Sequence, residues 1–340
     1  RSIRVIEAGH PLPDANSLIA AQEALRVVDG LGPDDLVIAL ISGGGSAAMC
    51  LPLPGLTLED KQVTNKLLLN SGLDIRTMNA VRRRISGIKG GKLAAAAAPA
   101  RVVTLAISDI PGDDPNAIAS GPTAPDPTHA LNLGSVADSL GTRLPERVVE
   151  LLRTPSASVD AGNAADFHLI ATPACALEAA ATVARSYGLE PVLLGDDIEG
   201  ESREVAQDMA RVARAYDRPT VLLSGGETTV TLSERAGGRG GRNTEFSLSL
   251  VCELAGQGGV WALACDTDGE DGANLGAAGA VIAPDTLARA KAGGLDPQAM
   301  LDAHDSGSFF AALGDLVTTG PTFTNVNDFR AILILPGAKF

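Results

Sequence analysis

Four groups of residues in this 340-residue chain have types and spacings that chemistry can use. The first is acidic: Asp266-Thr267-Asp268-Gly269-Glu270-Asp271-Gly272 follows directly on an apolar run. Crowded carboxylates repel one another unless a cation or hydrogen-bond donors neutralise them, and oxygen ligands with open positions suit Mg²⁺ held beside substrate phosphates. The competing reading is a solvated acidic turn in an acid-rich chain. Asp109, Asp113 and Asp114 make a second, weaker loop of the same kind. The calcium-loop spacing of an EF-hand is absent.

The other groups are suited to anions. Arg242 follows Gly240-Gly241 and opens a helix, where a guanidinium can reach a phosphate alongside the helix N–H groups; the alternative is a capping arginine with no function. Arg82-Arg83-Arg84 stands close to Lys89 and Lys92 in a chain of net charge −14. Such a run usually forms a solvated face, although residues 82, 85 and 89 share a helix face and one arginine is expected to point inward. The apolar run Leu36–Ile41 ends in Ser42-Gly43-Gly44-Gly45-Ser46. Glycines there let the backbone turn at positive φ and let a ligand approach its N–H donors. A helix starting near Ser46 would complete an anion seat, against the bland alternative of a tight turn that binds nothing. Anion seats, carboxylates and an arginine, with no nucleophile, are the equipment of phosphoryl transfer.

Several alternatives fail on spacing. Gly43-Gly44-Gly45-Ser46-Ala47-Ala48 satisfies G-x-G-x-x-A, but Pro52 and Pro54 break the long helix a dinucleotide fold requires. There is no P-loop, no serine-hydrolase elbow and no metal-ligand spacing among the four histidines; His10, between Gly9 and Pro11, reads as a turn residue. The acidic balance disfavours nonspecific nucleic-acid or anionic-membrane binding. The Ala94–Ala98 run is far too short to span a bilayer. Cys50, Cys175, Cys252 and Cys265 lack any framework spacing and read as core residues of a reduced, cytoplasmic protein.

The elements that must position these groups alternate between strand and helix. With 45% hydrophobic but only 3% aromatic residues, the core is one of Ala, Val, Leu and Ile, suited to helices packed on sheets. Strands are expected at Ile3–Ile6, Leu36–Ile41 (buried on both faces and parallel), Val102–Ile107, Phe167–Ala171, Glu190–Leu194, Thr220–Leu223, Gly259–Cys265 and Ala331–Leu335. Thr57-x-x-Asp60 reads as a capping box. The stretch Thr154–Asp166 is the expected boundary between two domains, 1–160 and 161–340. Each half has one strand ending in Ser-Gly-Gly and another ending in an Asp-rich loop. The fold expected is therefore α/β: two layered α/β/α domains with mainly parallel sheets and ligands beyond the carboxyl ends of the strands.

An ordered set of motifs covers nearly the whole chain: Glu7-Ala8-Gly9-His10-Pro11, Ser42–Ser46, Asn79-Ala80-Val81-Arg82, Ile88-Lys89-Gly90-Gly91, Ser108-Asp109, Ala119–Thr123, Ser224-Gly225-Gly226-Glu227-Thr228, Gly240-Gly241-Arg242-Asn243, Thr267-Asp268-Gly269, and Thr319–Thr322 with Asn325–Asp328. In this set the chain resembles the class II glycerate kinases, a family that also carries hydroxypyruvate-reductase-like and MOFRL names. The resemblance implies ATP-dependent phosphorylation of D-glycerate at its 2-hydroxyl, in a cleft between two α/β domains. It makes Arg242 and Asp268 catalytic. It assigns ATP or substrate binding to Ser42, Gly43, Gly44, Gly45, Ser46, Arg82, Lys89, Ser224, Gly225, Gly226, Glu227, Asn243, Thr322 and Asn325. Mg²⁺ falls to Asp268 with Asp271 or Asp109. The implied partner is the small-molecule substrate, with a homodimer allowed. Two other readings stand beside it: an NAD(P)H-dependent hydroxypyruvate reductase and a non-catalytic phospho-metabolite binder. The sequence departs from the family pattern in three places. It starts at Arg1, after the point where the family's N-terminal Gly-Lys-Ala turn would stand. Arg83-Arg84 replaces a frequent Lys-His, and Phe323 replaces a frequent glycine and is expected to narrow the site.

Overall fold

The computed structural model describes residues 3–159, 166–232, 237–272 and 276–338. The chain divides into two compact units, Arg1–Ile170 and Ala171–Phe340. The boundary expected at 160/161 lies outside the described residues. The strands are β1 (Leu36–Ile41), β2 (Arg101–Ile107), β3 (Phe167–Ala171), β4 (Glu190–Gly195), β5 (Gly200–Glu201), β6 (Thr220–Ser224), β7 (Thr228–Thr229), β8 (Val260–Asp266), β9 (Gly279–Ile282), β10 (Leu316–Val317) and β11 (Asp328–Ile334). No described helix is long and apolar enough to cross a membrane.

In the first unit β1, β2 and β3 form a three-stranded sheet in that order, with β1 and β2 parallel from Leu36 opposite Arg101 to Ile41 opposite Ala106. Helices Ala15–Val28 and Lys92–Ala97 cover one face through Val28, Ala94 and Ala97, packed on Val37 and Val102. The other face of β1 is open: Leu36, Ile38 and Leu40 are 56%, 58% and 74% exposed. Six consecutive apolar residues carry no alternation to signal an open face, which is why the sequence suggested burial on both sides. Residues 3–6 form no strand, and Ile3 and Val5 stand in solvent. The capping box expected at Thr57 forms, with Thr57 and Asp60 bonding reciprocally to start the helix Leu58–Leu69; Asp14 also caps the helix Ala15–Val28, accepting from the Ser17 amide. The helix after Gly44 is a single turn, Gly45–Ala48, so no long helix follows the triple glycine.

The second unit carries a six-stranded sheet in the order β10-β9-β8-β11-β6-β4. Here β4 and β6 are parallel, while β11 runs antiparallel to both β6 and β8, and β9 antiparallel to β8 and β10. Thus β4, β6, β8 and β10 share one direction, and β9 and β11 oppose it. The reversal of β11 positions the site. It sets Asp328, its first residue, opposite Asp266, the last residue of β8, and Arg330 opposite Ser224, the last of β6. The helix Arg242–Leu254 is buried nearly all round, from Asn243 to Val251 and again at Leu254. Phe246 and Leu250 join it to Ile332 and Ile334 and to the edge-to-face pair Phe309–Phe310, whose ring centroids are 5.1 Å apart. A helix fixed on all sides presents its first residue, Arg242, rigidly at the carboxyl end of the sheet.

Candidate active site

Arg242 is the centre of the second unit's cleft. Its Nε donates to Asp328 at 2.7 Å, Nη1 to Glu227 at 2.7 Å and Nη2 to Asp266 at 2.6 Å. A guanidinium has five N–H donors, so among the described residues two remain for a ligand. The group lines a cleft of about 710 Å³ together with Glu227, Asp266, Asp268, Glu270 and Asn325. Burial works against its charge, but Asp328, Asp266 and Glu227 outweigh that and hold its pKa above the ordinary value. Asp266 is pushed up to about 7, first by burial, against the pull of Arg242. Asp328 is buried and saturated: Asn243 Nδ2 donates at 2.7 Å, the Thr228 amide at 3.1 Å, and Arg330 binds its second oxygen. Arg330 is itself buried, over the Phe246 ring at 5.2 Å from the centroid.

Asp268 and Asp271 do different work. The Asp268 carboxylate is half-buried on the cleft wall and, among the described residues, takes one hydrogen bond, from the Glu270 amide at 2.8 Å. Asp271 is buried beneath the start of the helix Arg242–Leu254. Its two oxygens accept the amides of Asn243 and Thr244, each at 2.8 Å, and the Thr244 hydroxyl at 2.9 Å. This is a helix cap supplied from a distant loop, and burial raises the Asp271 pKa despite those donors. Glycine is required where the two meet, because a Cβ on Gly241 would lie 2.4 Å from the Asp271 carbonyl. Among the described residues, no group of three or more His, Cys, Asp or Glu side chains is set to hold a metal ion.

The second Ser-Gly-Gly turn is structural. The Ser224 hydroxyl is buried against Met209 Sδ at 3.7 Å, and the Gly225 amide donates to the Gly195 carbonyl. Gly226, at φ +109°, packs so closely that a Cβ would meet the Ile198 backbone at 2.2 Å. Of that motif, Glu227 and Thr228 line the cleft. Thr322 bonds the Thr267 carbonyl through its hydroxyl at 2.5 Å and the Asp268 carbonyl through its amide, so it fastens the acidic loop. Asn325 lines the cleft and accepts the Asn327 amide at 2.8 Å. Phe323 does not narrow the site: its ring is 95% exposed, and its φ of +59° explains why glycine suits that position.

In the first unit the triple glycine is enclosed on three sides. A Cβ on Gly43 would lie 1.8 Å from Asp109 Oδ2, one on Gly44 3.2 Å from the His10 ring, and one on Gly45 2.9 Å from Ala119. Ser42 is exposed, and Ser46, half-buried, bonds Ser120 at 2.9 Å and receives Lys89. The arginine run is not a solvated face. Arg83 is buried on Asp126, Asn116 and Thr128, and Arg84 is buried on the carbonyls of His129, Leu131, Leu151 and Thr154. Arg82 is half-buried on Asn79 at 3.1 Å.

The sequence reading gave no role to Asp328 or Arg330, although an acid and an arginine at the head of an apolar strand are a signal of buried pairing. It also missed Glu245, a buried carboxylate in the cleft wall held by Arg203 at 2.6 Å and by His304 at 3.0 Å.

A family model described as a domain of unknown function (DUF4147) matches residues 1–153, and the MOFRL family model matches residues 220–328. A glycerate 2-kinase of Pyrococcus horikoshii is 39% identical over 98% of this chain and 78% of its own length. The chain belongs to the glycerate kinase family. Among solved structures, glycerate kinase from Thermotoga maritima superposes with a TM-score of 0.87 at 36% identity, covering 97% of this chain and 80% of that one. A protein of Agrobacterium vitis, provisionally named hydroxypyruvate reductase, is 53% identical over 98% of this chain and 77% of its own length. The family gives the Arg242 cleft its context.

Proposed function

We propose that this member of the glycerate kinase family transfers the terminal phosphoryl group of ATP to D-glycerate, forming 2-phosphoglycerate. The observation that carries the reading is Arg242, fixed by three carboxylates at the cleft with donors to spare. In a phosphoryl transfer, where positioning and charge neutralisation do most of the work, its role is to stabilise charge on the transferring group. Glu227, Asp266 and Asp328 orient the guanidinium, and Asn243 steadies Asp328 behind it. The Ser42–Ser46 turn of the first unit binds the acid's carboxylate or a phosphate, with Lys89 and Arg82 as the nearby cations.

The cleft also fits Mg²⁺. Glu227, Asp266, Asp268 and Glu270 line it beside Arg242, a setting that repels a bare phosphate unless a cation accompanies it. With no ready-made cage among the described residues, the fit is to a metal that keeps waters and arrives on the nucleotide, met by one carboxylate, Asp268. When bound there, Mg²⁺ neutralises the phosphate oxygens. Asp271 is left to the helix cap.

The reductase reading is disfavoured by the one-turn helix Gly45–Ala48, since a pyrophosphate seat of the dinucleotide kind needs a long helix after the glycines. The test is a coupled assay across D-glycerate, tartronate and hydroxypyruvate. ADP formation with D-glycerate supports the kinase; NAD(P)H oxidation with hydroxypyruvate and no ADP formation overturns it.

A further inference from the structure

Beneath the triple-glycine turn lies a group of cations whose hydrogen-bond acceptors, among the described residues, are all neutral. Lys89 is 4% exposed, and its Nζ donates to the Ser46 carbonyl at 2.7 Å and the Ser46 hydroxyl at 2.6 Å. Ser46 Oγ continues to Ser120 Oγ at 2.9 Å. Among the described residues every oxygen bonded to Lys89 is neutral. The groups facing it are Lys61 from the helix Leu58–Leu69, Arg82 from the helix Ile75–Arg84, and Cys50. Lys61 is equally buried, on the Leu51 carbonyl and the Cys50 thiol. His10 faces the turn at Gly44, and Asp109 faces it at Gly43. The hydroxyls are held in place by a strained backbone: Ala119 and Ser120 sit at φ +50° and +62°, and the turn is fastened by the Gly91 amide on the Gly121 carbonyl.

A buried ammonium among cations and neutral oxygens is costly, and a lysine so placed sheds its proton readily. We propose that the turn is a proton-coupled site for a small oxyanion, in which Ser46 donates to the bound anion and Lys89 takes up a proton as it binds. The half-exposed Ser46 hydroxyl is the contact, Ser120 orients it, and Lys89 supplies the charge behind it. The inference rests on the reading that this turn seats the substrate's carboxylate or a phosphate, and it adds that the seat closes as Lys89 loses its proton. Burial, and then Lys61, already hold Lys89 down at about 7, so the coupling operates near neutrality.

The test is calorimetric titration of the full chain with sulfate and separately with D-glycerate, neither of which titrates near neutrality, in two buffers of different ionisation enthalpy. Uptake of roughly half a proton per anion is expected at pH 7, and an affinity roughly twentyfold weaker at pH 8.5 than at pH 6.5. Lys89→Arg, which keeps its charge, is expected to bind without proton uptake and without that pH dependence. Lys89→Met is expected to lose the site, and Ser46→Ala to weaken it at least fivefold. Binding without proton uptake, uptake that persists in Lys89→Arg (which would place it on another group), or no saturable binding to the wild type overturns the proposal. Failure of glycerate phosphorylation with proton-linked sulfate binding intact would sink the kinase reading and leave this one standing.

Discussion

Replacing Arg242 separates its two roles. Arg242→Gln leaves Asp266 and Asp328, 7% and 2% exposed, without the guanidinium that bridges them. Removing one partner of a buried ion pair costs about 3–5 kcal/mol. Here Asp328 keeps Arg330, Asn243 and Thr228, and Asp266 can take a proton, so a loss of roughly 2–3 kcal/mol is expected at pH 8. The sign of the pH dependence follows from Asp266. Its pKa is raised in the folded chain, to about 7 even with Arg242 present, so the folded state holds the extra proton and the contribution to stability falls as pH rises from 3.8 toward that value. Without Arg242 the window extends further upward, so the penalty is expected to be larger at pH 8 than at pH 5.5. The only tryptophan, Trp261, lies in β8, so fluorescence-detected urea unfolding reports on this unit. Turnover is expected to drop about 10²–10³-fold. Arg242→Lys keeps a charge but a single ammonium does not span three carboxylates; it should recover part of the stability and little of the turnover. An unfolding midpoint unchanged at pH 8, or a penalty independent of pH, would refute the pairing argument, and unchanged turnover would refute the catalytic role.

Four further outcomes follow from the geometry. Gly43→Ala pushes Asp109 aside and should raise KM for D-glycerate at least tenfold, with a stability change below about 1 kcal/mol by urea titration. Gly226→Ala, which meets the Ile198 backbone at positive φ, should cost about 3 kcal/mol or more and broaden or abolish the Trp261-detected transition. Asp271→Ala should cost about 1–2 kcal/mol through the lost helix cap, with the Mg²⁺ concentration for half-maximal rate unchanged; Asp268→Asn should raise that concentration without destabilising the fold. Lys89 is held at about 7 against an ordinary 10.5, so the folded chain binds fewer protons than the unfolded chain between those values and wild-type stability rises with pH across them; in Lys89→Met, chemical denaturation at pH 7 and pH 10 should show that rise smaller by roughly 3–5 kcal/mol.

Much of this molecule could be read from its residues, where local chemistry decides the outcome. The cap at Thr57 uses a hydroxyl three residues from its partner, and the turn at Gly44 needs a positive φ; both form where the pattern places them. The cluster of Arg242, Glu227 and Asp266 at the carboxyl end of the sheet was legible because strands ending in polar loops place those loops together. What was not legible depends on long-range pairing. Nothing local says that β11 runs against β6 and β8, yet that reversal brings Asp328 and Arg330 to the site from some 90 residues beyond Arg242. Arg83 and Arg84 look like a solvated basic face, because their carbonyl and carboxylate partners lie more than 30 residues away. The two Ser-Gly-Gly turns look alike in sequence, and only packing against Ile198 shows that one of them is filled by backbone.

The measurement closest to the central claim is phosphorus NMR of the product formed from D-glycerate and Mg²⁺-ATP, run with wild type and Arg242→Lys at matched folded concentration. Stoichiometric ADP and 2-phosphoglycerate from the wild type, with the rate down about 10²-fold or more in the variant, is the expected result. No phosphorylated glycerate from a folded wild type, or equal rates from the two proteins, would contradict it.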